Sequence, residues 1–228
     1  FGTDQNGRPL WEILQQGSAI VGLPSLAAAA FVFVMGALGG LLACSQAKRL
    51  STLVQAASET LGALPRLAVA IVVVQILPED MRGLMPIALT WALLTAPGAM
   101  DEAASVAAGL GGSRFVEAMK AHGFSRFRIY IVHILGYNLR PVLLRQAAEE
   151  FAQVVFLEMA ISYLSIADAD LPPMTHSASS ESWAAILYDG YRAVALDVPS
   201  GHSLVLGVGL IALVLLVVRT TIYAGRAR

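Results

Sequence analysis

Long apolar runs separated by short polar segments form the hydropathy pattern of this chain. A membrane-spanning helix needs about 20 apolar residues, and five runs suit such helices. They lie at residues 18–44, 50–77, 84–99, 137–166 and 203–223. The pattern predicts an all-α fold, a polytopic transmembrane helical bundle with five spans.

Composition agrees with a membrane protein and narrows its chemistry. The 228 residues are 57% hydrophobic and 14% charged, against about 25% charged in soluble domains. One cysteine, Cys44, excludes an internal disulfide and a cysteine metal cluster. The sequence contains no HExxH, phosphate-binding loop or Rossmann glycine pattern. We therefore expect no catalytic residue, metal or cofactor here, so that any ATP is bound by another subunit.

Charged residues inside the predicted spans are candidates for a polar pathway. Arginine at membrane depth costs about 2.5–3.5 kcal/mol on insertion scales, so Arg66 either faces a polar interior or snorkels to an interface because its span starts later. Glu150 and Glu158 lie eight residues apart on the fourth run, where a carboxylate serves a pathway or only orients helices. Arg145 and Glu149 are four residues apart and are predicted to pair.

Small and aromatic residues predict contacts of the first span. Gly36 and Gly40 form a GxxxG pair, which permits close helix approach or arises by chance in a glycine-rich run.

Before the span, residues 1–17 are predicted to form a turn and a short amphipathic helix. Trp11 and Ile13 suit the membrane interface, although a plain connecting loop fits as well.

The distribution of basic residues predicts the orientation. We place the 48–60 connection, residues 101–141 and the C-terminus on one side, which the positive-inside rule makes cytoplasmic. The polar N-terminus is then external, and because no signal peptide precedes it we expect a sixth, earlier span that this sequence lacks. Of the 15 Lys and Arg, eleven are on the cytoplasmic side: Lys48, Arg49, Arg114, Lys120, Arg126, Arg128, Arg140, Arg145, Arg219, Arg226 and Arg228.

Residues 114–141 form a basic, amphipathic island between two apolar runs. Glu117 and Ala118 lie on a predicted helix, and Gly123 can adopt the left-handed conformation that ends it. Ser125 is a candidate N-cap for the next helix. A short charged helix beside such a turn can dock into a groove of a partner protein.

The spacing of this island resembles the EAA loop of ABC importer permeases. Residues 117–119 (EAM), Gly123 and residues 133–135 (HIL) follow the family pattern of E-A-A, three residues, G, nine residues, then I-x-L-P or H-I-L-P. Further motifs, in the right order, resemble the dipeptide, oligopeptide and nickel branch: Gly2-Thr3-Asp4 with Gly7-Arg8, Leu64-Pro65, Pro97-Gly98, and Glu158 with Ile161-Ser162-Tyr163-Leu164.

Several positions depart from that family pattern. Met119 replaces the second alanine, Gly136 replaces the loop's proline, and Asp101 and Ala104 stand where arginines are common. The external tryptophan-glycine pair and the C-terminal G-D-x-L-R-D signature are absent from the sequence. The resemblance therefore implies a divergent member, and we expect the glycine at 136 to make the return into the membrane more flexible.

The resemblance implies a type I importer permease that carries di- or oligopeptides across the bacterial inner membrane. Its partners would be a second permease, two ATP-binding subunits, an external substrate-binding protein and membrane lipid, but no nucleic acid. Nickel, a metal chelate or another small solute is an alternative substrate, and a membrane scaffold whose basic loop binds anionic lipid is an alternative of another class. The implied ATPase-coupling residues are Glu117, Ala118, Lys120, Gly123, Ser125 and Arg126.

The predicted organisation has two parts. Residues 1–17 form an external polar segment, and residues 18–228 form the permease domain. Within that domain we place the cytoplasmic coupling loop at 101–141 and an external loop at 167–202. The external loop is predicted to hold a short helix at 183–194, and its two histidines lack the spaced partners of a metal site.

Overall fold

A computed structural model describes residue 3 and residues 7–44, 48–78, 81–110, 113–167, 182–196 and 202–226. Within these ranges the fold is helical, as predicted, and its single extended contact is an isolated bridge between Thr3 and Pro9. The helices are α1 (Leu10–Ala43), α2 (Lys48–Gly62), α3 (Arg66–Ile76), α4 (Leu84–Gly109), α5 (Ser113–Ala121), a π-helix (Arg128–Leu139), α6 (Arg140–Ala167), α7 (Trp183–Ala195) and α8 (His202–Arg226).

Among the described helices, two are long and apolar enough to cross a membrane: α1, and α8 over His202–Tyr223. They correspond to the first and last predicted spans. With 34 residues, α1 is about 50 Å long, against about 30 Å for the hydrocarbon core. The short N-terminal helix predicted beside the first span is therefore part of α1, where Ile13 is buried and Trp11 is exposed.

The second predicted span is divided at Pro65. Helix α2 ends at Gly62, and Pro65 occupies the N-cap of α3 with φ −70° and ψ 99°. Proline suits a helix start because it has no N–H to lose there. With 11 residues, α3 is about 16 Å long, so this span stays a prediction.

The third predicted span continues beyond its expected end. Helix α4 runs through Pro97 and Gly98 to Gly109, and Pro97 is buried inside it. A proline is accommodated within a helix where neighbouring helices hold the chain. Here Ala96 before Pro97 and Ala99 and Met100 shortly after it are buried. The helix therefore continues ten residues beyond residue 99, where the third predicted span ends, and that predicted end was wrong.

Close contacts of α1 with α4 and α6 form the centre of the bundle. A Cβ atom on Gly39 would lie 2.5 Å from the Met100 Cα atom of α4, and one on Gly36 would lie 2.9 Å from Gln146 Oε1 of α6. A Cβ on Gly40 would collide with the Leu139 side chain. The Gly36–Gly40 pair is thus part of a close helix interface, as one of the two interpretations predicted. The closest approach to a neighbouring backbone is at Gly39, against Met100.

The C-terminal half completes the bundle through α7. This helix confirms the short helix predicted from residues 183–194. Its Trp183 Nε1 donates to the Leu14 carbonyl of α1 at 3.1 Å, and Gly190 abuts the backbone of Leu204 in α8. The pair α7–α8 is thereby fixed against the start of α1.

We expect Gly39→Ala to destabilise the protein by about 1–3 kcal/mol, because the added methyl overlaps the α4 backbone. Gly22→Ala, on the same helix with nothing within 4 Å of its Cβ position, should stabilise by about 0.5–1 kcal/mol through helix propensity. Denaturant unfolding in detergent micelles measures both. Equal effects of the two substitutions would contradict the close approach.

Candidate functional site

The predicted coupling segment is a short helix followed by a chain reversal. Helix α5 ends at Ala121, and Gly123 has φ +82°. The Gly123 N–H donates to the Lys120 carbonyl at 2.9 Å, and the Phe124 N–H donates to the Met119 carbonyl at 3.2 Å. These bonds satisfy the last carbonyls of α5. The residue with the left-handed conformation is Gly123, as the sequence predicted.

One face of this segment is exposed and the other is anchored. Val116 is buried in the core, and Met119 packs against the same cluster. The side chains on the outer face therefore remain accessible while the helix stays attached. All six predicted coupling residues are exposed: Glu117, Ala118, Lys120, Gly123, Ser125 and Arg126.

The chain returns from the reversal through a π-helix, which sequence reasoning missed. Ser125 Oγ accepts from the Arg128 N–H at 3.4 Å, as expected of an N-cap, but the following turns are wider than α. A Cβ on Gly136 would lie 3.2 Å from the Ile131 carbonyl oxygen. The glycine at this position thus gives that carbonyl room. Turns of a π-helix often occur at functional sites.

Aromatic contacts hold the reversal against the π-helix. The His133 ring meets Phe124 edge-on at 5.6 Å and stacks on Tyr137 at 6.1 Å between centroids. The Arg128 guanidinium lies 5.2 Å from the centre of the Phe124 ring, within range of a cation–π interaction. Movement of the loop would therefore act on the π-helix directly.

A polar cavity of about 170 Å³ lies among α1, α3, α4 and α6. It brings together Arg66 and Glu150, two of the three predicted pathway residues, although they are 84 positions apart. Arg66 is the first residue of α3 and is exposed, which also fits the interpretation that it snorkels from a helix start. The lining residues are Val32, Arg66, Thr95, Gly98, Ala99, Glu102, Gln146, Glu149, Glu150 and Gln153.

A bridge of charges joins α4 and α6 beside the cavity. Arg145 donates to Glu149 Oε1 at 3.3 Å, the pair that the spacing predicts, and also bonds Glu102 of α4. Gln146 Nε2 donates to Glu102 Oε2 at 2.8 Å and to the Ala99 carbonyl at 3.2 Å. Sequence reasoning missed Glu102 and Gln146, because no local spacing links α4 to α6.

Glu150 is the buried carboxylate of the cavity, with 2% of its surface exposed. Thr95 Oγ1 donates to its Oε2 oxygen at 3.0 Å, and the same hydroxyl reaches the Ala92 carbonyl at 3.0 Å. The other oxygen, Oε1, is buried and has no hydrogen-bond partner among the described residues. Glu150 thus retains an unsatisfied acceptor.

Glu158, the third predicted pathway residue, is apart from this cavity. It is 1% exposed, and its Oε1 accepts from Ser162 Oγ at 2.8 Å one turn later on the same helix. No group of three or more His, Cys, Asp and Glu side chains in the described ranges is arranged to hold a metal ion.

Comparison with known proteins agrees with the motif resemblance. The chain is 29% identical, over 190 residues, to proteins of Brucella suis, Brucella abortus and Brucella melitensis that carry the provisional name of peptide transport system permease proteins. The match covers 83% of this chain and 60% of each relative, so the chain spans less than two thirds of their length. No protein-family model matches. The chain is thus similar to peptide transport permeases and divergent from them.

Thr95→Val tests the bond to the buried carboxylate. We expect a loss of about 1–3 kcal/mol in unfolding free energy, because Glu150 loses its hydroxyl donor. Thr90→Val is the matched control on the same helix, since the Thr90 hydroxyl bonds the Pro86 carbonyl of its own helix at 2.8 Å. Chemical denaturation in detergent compares the two, and an equal loss for both would exclude a special contribution from the Glu150 bond.

Proposed function

We propose that this chain is a permease subunit of an ABC transporter that imports peptides across a bacterial inner membrane, with its C-terminus in the cytoplasm. The observation that carries the proposal is the exposed helix α5 with its reversal at Gly123. Its residue spacing resembles that of the EAA loop, and the chain is similar to peptide transport permeases over 83% of its length; both support the proposal. This chain hydrolyses nothing itself, and ATP binds to the partner subunits.

The coupling step requires a contact that survives a conformational change. A ligand or partner shifts a conformational equilibrium only through different interaction free energies with the two states. We assign the contact with the ATPase to the exposed face of α5 and its reversal, from Glu117 to Arg126. Val116 anchors that helix to the core, so closure of the two ATPase subunits would be transmitted to the bundle.

The transport pathway in this proposal includes the polar cavity. Charged residues at membrane depth face a bundle interior or a water-filled space, and Arg66 and Glu150 share such a space. A second permease subunit would complete the pathway, and an external binding protein would deliver the peptide. For Glu158 the bond to Ser162 supports a structural role.

Gly123→Pro and Glu117→Lys are expected to leave membrane insertion intact and to abolish peptide-stimulated ATP hydrolysis. Proline fixes φ near −65°, which is incompatible with the φ of +82° at Gly123. Lysine at 117 reverses a charge on the exposed face. The measurement is ATPase activity of the reconstituted transporter with and without peptide and binding protein.

Glu12→Lys is the matched charge-reversal control, because Glu12 is also exposed but lies in the first turn of α1. It should retain stimulation. Normal stimulation in both loop variants would overturn the coupling assignment. Failure of the wild-type chain to co-purify with any ATPase subunit would favour a membrane scaffold instead.

Arg66→Ala is expected to change the relative transport rates of acidic, neutral and basic peptides several-fold, because it removes a positive charge from the cavity lining. Uptake of a peptide panel into proteoliposomes measures this. Arg192→Ala, at an exposed position on α7, is the control and should leave the ranking unchanged. An unaltered ranking in Arg66→Ala would remove Arg66 from the pathway.

A further inference from the structure

One side of the π-helix is buried and the other is exposed. Ile129, Ile134 and Leu139 lie in the core with 0% exposure. On the opposite side, exposed residues recur four or five positions apart, which is the spacing that i→i+5 hydrogen bonds produce. Together with a residue at each end of the helix they form one surface, which we call the outer face. Its members are Phe127, Arg128, Ile131, Val132, Tyr137 and Arg140.

Large apolar side chains make up most of the outer face. Phe127 is 71% exposed, Tyr137 is 70% exposed and Ile131 is 40% exposed. Adjoining apolar side chains that are exposed on a folded chain mark a site of contact with another protein or with a membrane. Aromatic rings also concentrate where a membrane meets water. The outer face is therefore a contact surface.

Positive charge accompanies these apolar side chains. From Ala118 to Ala148 the sequence contains five Lys and Arg and no Asp or Glu. Arg128 and Arg140 lie on the outer face, and neither forms a salt bridge with a residue that the structure describes. Arg128 contacts the Phe124 ring but stays exposed. Basic clusters at the cytoplasmic end of a membrane helix attract anionic lipid headgroups. The matching partner thus presents anionic groups beside apolar material.

The place of the π-helix in the chain favours lipid as that partner. Helix α5 and its reversal at Gly123 carry the proposed ATPase contact, and the π-helix leads from there directly into α6. The outer face therefore lies between the exposed tip and the bundle. Tyr137 is the first residue of the fourth predicted span, so in the predicted orientation the outer face is at the cytoplasmic surface of the membrane. A soluble partner would reach α5 first.

We propose that the outer face of the π-helix binds anionic phospholipids of the cytoplasmic leaflet. Arg128 and Arg140 bind the lipid phosphates, and Phe127, Ile131 and Tyr137 lie among the upper parts of the acyl chains. The inference goes beyond the proposed peptide import and uses only its membrane orientation. Bound lipid would hold the π-helix at the membrane surface while α5 moves with the ATPase.

Spin labelling of the full chain in lipid nanodiscs tests the position of the outer face. Cys44 is buried and is the one cysteine in the sequence, so Cys44→Ala with Ile131→Cys takes a single nitroxide and keeps both arginines and both rings. In nanodiscs of phosphatidylcholine and phosphatidylglycerol, the label should be several-fold more accessible to oxygen, which enters the bilayer, than to a water-soluble nickel chelate. Ala118→Cys on the exposed side of α5 is the matched control and should show the reverse order.

Lipid selectivity tests the two arginines. The wild-type chain from bilayers of equal phosphatidylcholine and phosphatidylglycerol should retain phosphatidylglycerol preferentially, as mass spectrometry of the bound lipid measures. Arg128→Gln combined with Arg140→Gln should lower that preference about fivefold or more, the equivalent of about 1 kcal/mol. Arg192→Gln, at an exposed position on α7, is the control and should keep the preference.

Preferential access of the nickel chelate to the label at position 131 would overturn the proposal, and so would an unchanged lipid preference in the double arginine variant. Loss of access to both reagents on addition of the ATPase subunit would also overturn it, and would show that the outer face is a protein contact. A lipid-facing label and phosphatidylglycerol selectivity in a chain that supports no ATP-dependent peptide uptake would contradict peptide import and support the lipid site.

Discussion

The approach of α1 to α4 at Gly39 is the contact on which the rest of the bundle depends. Without a Cβ, Gly39 allows the α1 backbone to lie against Met100, and tight packing of this kind replaces the hydrophobic driving force that is lacking in lipid. One turn earlier, Gly36 leaves room for Gln146 of α6. The polar cavity is therefore built on apolar packing, because Gln146 reaches its two acceptors only where α1 has no side chain.

Features that depend on local spacing were predictable from the sequence. The turn at Gly123 needs one residue with positive φ, and the pair of Arg145 with Glu149 needs only a helix. By contrast, Glu102 joins that pair across 43 positions, and Arg66 meets Glu150 only when α3 and α6 are packed. Sequence reasoning names such residues separately but cannot show that they share one cavity.

The two prolines show why helix boundaries were less predictable. Pro65 follows Gly62 and ends the helical run, and it is exposed. Pro97 and Gly98 also have low helix propensity. Helix α4 nevertheless continues through them, because Pro97 is buried against the bundle. The difference lies in tertiary packing, which overrides local preference. For the same reason, hydropathy predicted correctly that the described elements are helices, but it predicted less directly how many of them are long and apolar enough to span a membrane.

The π-helix Arg128–Leu139 has a consequence for the angular phase of α6. Each residue turns the chain through a smaller angle in a π-helix than in an α-helix, since its bonds join residues five apart. The twelve residues of this π-helix, which ends where α6 begins, therefore set the direction in which Gln146 and Glu150 point around the α6 axis. Rewinding even one of these turns as α-helix would rotate the whole polar face of α6 about its axis and thereby reorient the cavity wall.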